Sequence, residues 1–218
     1  IYARALAHED TAAVLIAADG YSYAGRRFDL RERVREIRAE LSSVRALVGA
    51  RFAGGELPDG SLDFDELARG DAEPSFERFP FDHPLYVLYS SGTTGRPKCI
   101  VHGAGGTLLQ HLKEQRLHTD LGLADRLFYF TTCGWMMWNW LMSGLACGSC
   151  LVLYDGSPFH PGPERLFDLA ERERITVFGT SAKYIDSLAK SGARPRETHD
   201  LSSVRTILST GSPLSPES

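Results

Sequence analysis

Residues 89–98 read Tyr89-Ser90-Ser91-Gly92-Thr93-Thr94-Gly95-Arg96-Pro97-Lys98, and the apolar segment 85–89 at their start predicts a buried strand. Glycines let backbone N–H groups approach a ligand closely, and the neighbouring hydroxyls complete a concave nest of donors that suits phosphate oxygens. Lys98 adds a positive charge, and Arg96 can add a second. A flexible polar hairpin is the alternative, but such hairpins rarely place this many donors beside an apolar strand. The stretch therefore predicts a phosphate-binding loop after a strand, although its spacing differs from the P-loop consensus GxxxxGK.

The chain after this loop alternates between strand and helix patterns. The predicted strands lie at 99–102, 127–130, 151–154, 175–178 and 204–208. The predicted helices lie at 107–118, 138–146, 164–173 and 181–191, and Gly192 closes the last of them. Strands that alternate with helices of about ten to fifteen residues indicate a mainly parallel sheet flanked by helices. The predicted fold class is therefore α/β.

The chain before the loop predicts one helix and one strand. Asp29 and Glu32 form a capping-box pattern, and apolar residues then recur at helical spacing over 30–41. The segment 44–48 is short and apolar enough for the next strand. Residues 54–84 are rich in Gly, Pro and acidic residues, which predicts a long surface connection and a possible subdomain boundary.

The composition excludes several classes of protein. The 218 residues are 43% hydrophobic and 24% charged, which is typical of a globular chain with one large domain or two small ones. Lys and Arg number 24 against 28 Asp and Glu, so a net charge of −4 creates no general basic field for nucleic acid. No secretory signal pattern opens the chain, and four cysteines are too few for a disulfide scaffold. We therefore expect a cytoplasmic protein that does not bind nucleic acid.

Residues 127–154 contain no charged side chain, and this segment is long enough to cross a bilayer. Polar residues and glycines interrupt it, however, and no cluster of Lys or Arg flanks it as in most membrane spans. A buried strand, a helix and a second strand explain the segment better, so we expect no membrane span.

Metal, redox and hydrolase chemistry have little support. Cys147-Gly148-Ser149-Cys150 has zinc or redox spacing, but no second CxxC accompanies it, and small buried thiols are the simpler interpretation. The seven histidines form no HxxH, HExxH or HxH pattern, and the chain contains no GxSxG motif. We expect no resident metal site.

The loop at 89–98 resembles the phosphate-binding loop of the adenylate-forming superfamily, which includes acyl-CoA synthetases, luciferases and the adenylation domains of peptide synthetases. Other segments are similar to one family within it, the acetoacetyl-CoA synthetases; they are 102–106, 130–140, 152–158, 178–182 and 209–214. The resemblance implies that 1–218 is an incomplete part of the N-terminal AMP-binding domain. We expect the C-terminal domain with its catalytic lysine to be absent, because no motif of it can be located in this sequence.

The resemblance also implies a two-step reaction. A carboxylate attacks the α-phosphorus of ATP and gives an acyl-adenylate and pyrophosphate, and the CoA thiolate then displaces AMP. For this family the acid is acetoacetate, Mg²⁺ shares the charge neutralisation, and the product enters lipid and ketone-body metabolism. Such chemistry depends on positioning and charge stabilisation more than on covalent help from the protein.

Site residues follow from the same resemblance. The implied ATP-binding residues are Ser90, Ser91, Gly92, Thr93, Thr94, Gly95, Lys98, Gly211, Ser212 and Pro213, and the catalytic candidates among them are Thr93, Thr94 and Lys98. Gly211–Pro213 can also be an ordinary turn after a strand, and Ser212 replaces a glutamate common in acetyl-CoA synthetases. The implied contacts for CoA are Tyr23, Gly25 and Arg26, for which a solvated basic turn is the alternative.

The implied acyl pocket contains Trp135, Met137 and Asn139. Asn139, or a hydroxyl of Thr131 or Thr132, could donate to the keto oxygen of acetoacetate. An ordinary apolar core at helical spacing is the favoured interpretation for Met136, Met137, Trp138 and Trp140, whereas Trp135 is favoured as a pocket residue.

Two other functions stay open at this point. The parent could be a synthetase for another short acid, or a nucleotide-binding module without catalysis, because fold alone does not fix function. In either case we expect the 218-residue segment by itself to bind ATP poorly and to be inactive.

Overall fold

A computed structural model describes residues 13–89 and 98–216. These residues form two compact units, one within Ile1–Phe79 and Val87–Val101 and the other within Pro80–Tyr86 and His102–Ser218. The predicted boundary in the 54–84 connection stays a prediction.

The first unit contains a small parallel sheet and a hairpin. Strand β4 (Ala46–Ala50) pairs in parallel with β1 (Val14–Ala18) and with β5 (Leu62–Asp63). Strands β2 (Gly20–Tyr23) and β3 (Arg26–Asp29) form the antiparallel hairpin. Its two-residue turn has positive φ at both positions, which matches the type I′ geometry that suits the twist of a hairpin.

Two helices complete this unit, α1 (Arg31–Glu40) and α2 (Phe64–Ala68). The predicted capping box at the start of α1 does not form. Leu30 occupies the N-cap position, while Asp29 accepts a hydrogen bond from the Arg31 backbone N–H at 2.9 Å. The carboxylate of Glu32 pairs with Arg35 instead of the cap, because an arginine one turn on offers it a charged partner.

The second unit is built on a four-stranded parallel sheet in the order β11-β10-β8-β9. These strands are β8 (Arg126–Tyr129), β9 (Cys150–Val152), β10 (Val177–Ser181) and β11 (Thr206–Thr210). Strands β6 (Pro84–Tyr89) and β7 (Cys99–Gly103) pair separately on either side of the phosphate-loop sequence.

Helices connect and cover these strands. They are α3 (Ala104–Lys113), which continues as a π-helix over Glu114–His118, α4 (Met136–Met142), which continues as a 3-10 helix over Ser143–Cys147, α5 (Arg165–Arg172), α6 (Ala182–Ser191) and α7 (Pro195–Thr198). The α/β class with parallel sheets flanked by helices is confirmed.

Ser181 caps α6 by accepting the Tyr184 N–H at 3.2 Å, and Gly192 closes it with φ of 73°, as expected for a C-terminal glycine.

The core of the second unit has two apolar clusters. Neighbouring strand residues alternate between them, since Phe128 and Phe178 belong to one cluster and Leu127 and Val177 to the other. This alternation places the clusters on opposite faces of the sheet, as the period of a strand requires.

The charge-free segment 127–154 begins within strand β8 and contains helix α4 and strand β9, as predicted. Across residues 13–89 and 98–216, the structure contains no helix long and apolar enough to span a bilayer.

Candidate functional site

A cavity of about 250 Å³ lies at the carboxyl ends of β8, β10 and β11. In parallel sheets this edge is where ligands bind, because the loops that follow the strands diverge there. Its walls combine aromatic and apolar side chains with hydroxyl-bearing residues. The lining residues are Tyr129, Phe130, Thr131, Thr132, Trp135, Met137, Thr180, Ser181, Thr210 and Gly211.

Two of the three residues predicted for the acyl pocket line this cavity. Trp135 precedes α4 and is 69% exposed, while its backbone N–H donates to the Thr132 carbonyl at 3.0 Å. Met137 lies in the first turn of α4 and is half-buried. Asn139 lies further along the same helix and is not a lining residue.

The predicted turn for the nucleotide follows β11 and contributes Gly211 to the same cavity. Gly211 has φ of 92°, a left-handed conformation that disfavours any residue with a side chain. Ser212 and Pro213 follow it as exposed residues. The structure therefore brings part of the predicted nucleotide turn together with part of the predicted acyl pocket.

The predicted phosphate loop is only partly described. Ser90, Ser91, Gly92, Thr93, Thr94 and Gly95 lie outside the described residues. Lys98 is described and exposed, directly before β7.

The predicted CoA contacts lie in the hairpin of the first unit. Tyr23 ends β2 and is 47% exposed, Gly25 occupies the turn with φ of 76°, and Arg26 begins β3 with its side chain exposed. Behind them the rings of Tyr21 and Phe28 stack at 4.8 Å between centroids, which stiffens the hairpin. An exposed arginine on a stiff hairpin is available for a phosphate.

Asp19 anchors the base of this hairpin, a role that the sequence analysis missed. The Asp19 side chain is 3% exposed, and its carboxylate accepts the N–H of Phe52 at 2.7 Å, of Ala53 at 2.8 Å and of Gly55. Burial by itself raises the pKa of Asp19, but these hydrogen bonds outweigh it and lower the pKa to about 2. The aspartate therefore ties the segment 52–55 to the start of β2.

Tyr129 was also missed, because it lies at the end of an apolar strand. Its hydroxyl contacts the Thr180 carbonyl at 2.9 Å and Thr210 Oγ1 at 2.8 Å. Burial raises the pKa of Tyr129, so the phenol stays neutral at physiological pH. A buried tyrosine normally finds a partner for its hydroxyl, and that rule is the only signal in the sequence that could have drawn attention to it.

A larger apolar cavity of about 910 Å³ lies in the same unit, on the side of α6 and β11. None of the predicted site residues that the structure describes lines it.

The two cysteines of the CxxC pattern differ in their surroundings. Cys147 is buried, and burial raises the pKa of its thiol, which is unlike a reactive thiolate. Cys150 is exposed, so the expectation of buried thiols holds for only one of this pair. Within the part of the chain that the structure describes, no group of three or more His, Cys, Asp or Glu side chains could hold a metal ion.

Comparison with known protein families shows which family the chain belongs to. The family model described as "AMP-binding enzyme" matches residues 3–218. The chain belongs to the AMP-binding enzyme family. Its described fold, with a ligand-sized cavity at the carboxyl edge of a parallel sheet, agrees with that membership.

This AMP-binding chain is similar to curated acetoacetyl-CoA synthetases. The acetoacetyl-coenzyme A synthetase of Rhizobium meliloti (strain 1021) is 57% identical over 209 residues, which cover 94% of this chain and 32% of that protein. The acetoacetyl-CoA synthetase of Gallus gallus is 54% identical over 158 residues, which cover 72% of this chain and 24% of that protein. The chain thus spans about a third or less of the length of these relatives.

A solved structure also shows the similarity to acetoacetyl-CoA synthetases. The acetoacetyl-CoA synthetase from Streptomyces lividans superimposes with a TM-score of 0.92 at 49% sequence identity, over 98% of this chain and 33% of that one. The resemblance noted in the sequence is therefore confirmed in both sequence and fold.

Proposed function

We propose that the full-length protein containing these residues is an acid–thiol ligase that converts acetoacetate, ATP and CoA to acetoacetyl-CoA, AMP and diphosphate. The observation that carries the proposal is the 57% identity to an acetoacetyl-coenzyme A synthetase across 94% of this chain. The reaction forms a bond between a carboxylate oxygen and the α-phosphorus of ATP while diphosphate leaves. The CoA thiolate then attacks the acyl carbon, and AMP leaves.

The 250 Å³ cavity is our candidate for the acid subsite. It is smaller than pockets for drug-sized ligands, which hold about 300–1,000 Å³, and this favours a short acid. Trp135 and Met137 supply an apolar wall. Thr131 and Thr132 are lining residues and Asn139 is not, so the two threonines are better candidates than Asn139 to donate to a keto oxygen.

The loop 90–98 and the turn Gly211–Pro213 are each proposed to contact the nucleotide. The loop hydroxyls and the Lys98 ammonium would hold the β- and γ-phosphates, with Thr93, Thr94 and Lys98 as the catalytic candidates and Mg²⁺ sharing the charge. The exposed Tyr23, Gly25 and Arg26 are proposed to contact the nucleotide end of CoA.

The setting of the reaction follows from its substrates. We propose a cytoplasmic enzyme of lipid and ketone-body metabolism, whose partners are the small molecules acetoacetate, ATP and CoA. Another short acid is the second candidate, because an apolar wall such as that of Trp135 and Met137 discriminates between small acyl groups by only about 1–3 kcal/mol.

The experiment is acid-dependent diphosphate release by the full-length protein with acetate, acetoacetate and butyrate. We expect acetoacetate to have the highest kcat/KM. We expect Trp135→Ala to reduce the ratios of kcat/KM between the three acids by about tenfold, because loss of the aromatic wall removes roughly 1–3 kcal/mol of discrimination between them. Phe76→Ala, at a residue 87% exposed in the first unit, is the matched control and should keep the wild-type ranking. If none of the three acids supports diphosphate release, the proposed function is contradicted. If the kcat/KM values of the three acids keep the same ratios in Trp135→Ala, that residue does not belong to the acid subsite.

A further inference from the structure

The hydroxyl of Tyr129 spans two strands of the parallel sheet. Tyr129 ends β8, and its hydroxyl crosses β10 to reach the side chain of Thr210 at the end of β11. On the way it contacts the Thr180 carbonyl of β10. The three strands whose ends form the cavity are therefore joined through one phenol.

The position of the Tyr129 ring is fixed by its neighbours. Tyr129 is 5% exposed, and its ring meets Trp140 edge-on with 6.0 Å between centroids. Gly179 pairs with Tyr129 across the β8–β10 ladder, and the missing side chain at Gly179 leaves the space that the ring occupies. A ring held on two sides delivers its hydroxyl to a defined point.

The number of protons fixes the direction of each hydrogen bond. The Thr180 carbonyl can only accept, so the single phenolic proton of Tyr129 goes to it. The contact of 2.8 Å between the two hydroxyls is then a hydrogen bond only if Thr210 donates to Tyr129. The Thr210 proton is thereby committed, and its Oγ1 can only accept from a ligand.

Thr210 contacts the Tyr129 hydroxyl from the wall of the cavity. It is exposed and lines the 250 Å³ cavity directly before Gly211, whose positive φ begins the proposed nucleotide turn. The buried phenol therefore holds an exposed wall residue of the cavity in one orientation at the junction between the proposed acid and nucleotide subsites.

We propose that Tyr129 is a positioning residue for the acid substrate, which acts by holding the Thr210 side chain in the wall of the acid cavity. This inference rests on the proposed function. Since a pre-oriented wall binds substrate without first losing rotamer freedom, loss of the phenolic hydroxyl should weaken acid binding more than it slows the chemical step.

The test uses initial rates of acetoacetate-dependent diphosphate release by the full-length protein. We expect Tyr129→Phe, which keeps the ring, to raise KM for acetoacetate about fivefold with less than a twofold change in kcat. Thr210→Val should raise KM equally, and Thr210→Ser, which keeps the hydroxyl, should stay within about twofold of wild type. Because Tyr129 acts through Thr210, the double variant Tyr129→Phe/Thr210→Val should be no worse than either single variant.

Tyr184→Phe is the matched control. Tyr184 is another buried tyrosine of the second unit, and its hydroxyl has no hydrogen-bond partner among the residues that the structure describes. Removing that hydroxyl should leave KM for acetoacetate unchanged, while a general effect of deleting a buried hydroxyl would raise it.

Three outcomes overturn the inference: an unchanged KM in Tyr129→Phe, a double variant whose KM multiplies the two single effects, or equal KM values for Thr210→Val and Thr210→Ser. If Tyr129→Phe does not fold, equal KM values for Thr210→Val and Thr210→Ser still overturn the inference. Wild-type protein that releases no diphosphate with any short acid contradicts the proposed function instead, so the two failures are distinguishable.

Discussion

The two carboxylate oxygens of Asp19 accept hydrogen bonds from three backbone N–H groups. Oδ1 accepts from Phe52 and Ala53, and Oδ2 accepts from Gly55. Hydrogen bonds to a charged acceptor are stronger than those to a neutral one, and buried donors that lose their acceptor are costly. One residue therefore fixes the segment that packs at the base of the proposed CoA hairpin.

Asp19→Asn tests this anchor. An amide nitrogen in place of Oδ2 would face the Gly55 N–H donor to donor, and we expect local opening of the segment 52–55 to become easier by roughly 1–3 kcal/mol. The measurement is amide hydrogen exchange at Phe52, Ala53 and Gly55. Asp71→Asn, at an exposed aspartate of the same unit, should leave these rates unchanged.

The same anchor predicts a pH dependence with a definite sign. The folded-state pKa of Asp19, about 2, lies below its ordinary value of 3.8, so the folded state holds the proton less tightly than the unfolded state. Its stabilising contribution is complete above the ordinary pKa and is lost as the pH falls towards 2. The difference between wild type and Asp19→Asn should therefore shrink over that range, and a difference that grows on acidification contradicts the assignment.

Strand β10 shows how one element sets the geometry of the cavity. It is central in the sheet, pairing with β8 on one side and with β11 on the other. Its Gly179 makes room for the Tyr129 ring, its Thr180 carbonyl accepts the phenol, and its Ser181 caps α6. Three consecutive residues thus connect the sheet, the cavity wall and the next helix.

Gly179→Ala should disrupt this arrangement. An added Cβ would lie only 2.7 Å from Cγ of the Tyr129 ring, and that ring has no space to retreat because Trp140 packs against it. We expect a loss of roughly 3 kcal/mol in the free energy of unfolding, measured by thermal or chemical denaturation. Gly106→Ala in α3, where an added Cβ meets nothing within 4 Å, should instead be neutral or stabilising by up to about 1 kcal/mol.

The sequence predicts the alternation of elements well and their ends less well. The predicted strand at 175–178 is β10 at Val177–Ser181, because Gly179, Thr180 and Ser181 have the composition of a loop although their backbone pairs with β11. The hairpin β2–β3 and helix α2 were not predicted. The strands of the hairpin have only four residues each, and α2 has only five.

The candidate site was predictable only where a local motif marks it. Trp135, Met137 and Gly211 were found in this way, and the structure places them around one cavity. The contact between Tyr129 and Thr210 joins residues 81 positions apart, and the Asp19 anchor reaches 36 positions to Gly55. Such contacts depend on the register of the sheet and on the path of a loop, which local patterns do not contain.

At the scale of the whole molecule, the described chain consists of two compact units that carry different proposed contacts. The first carries the proposed CoA hairpin and Lys98, and the second carries the proposed acid cavity and the nucleotide turn. The acetoacetyl-CoA synthetase from Streptomyces lividans is about three times as long as this chain and has the same fold over 98% of it. The proposed activity is therefore assigned to the full-length protein.

The proposed function requires that the hydroxyl-rich loop and Lys98 hold the phosphates of ATP while an acid is activated. The most direct test is acetoacetate-dependent exchange between ATP and pyrophosphate, measured for the full-length protein and its Lys98→Ala variant. Loss of a charged contact to phosphate should lower the exchange rate by about 10–100-fold, while Lys190→Ala, at an exposed lysine on α6, should match the wild type. An exchange rate in Lys98→Ala equal to that of the wild type would contradict the proposal that Lys98 holds the phosphates of ATP.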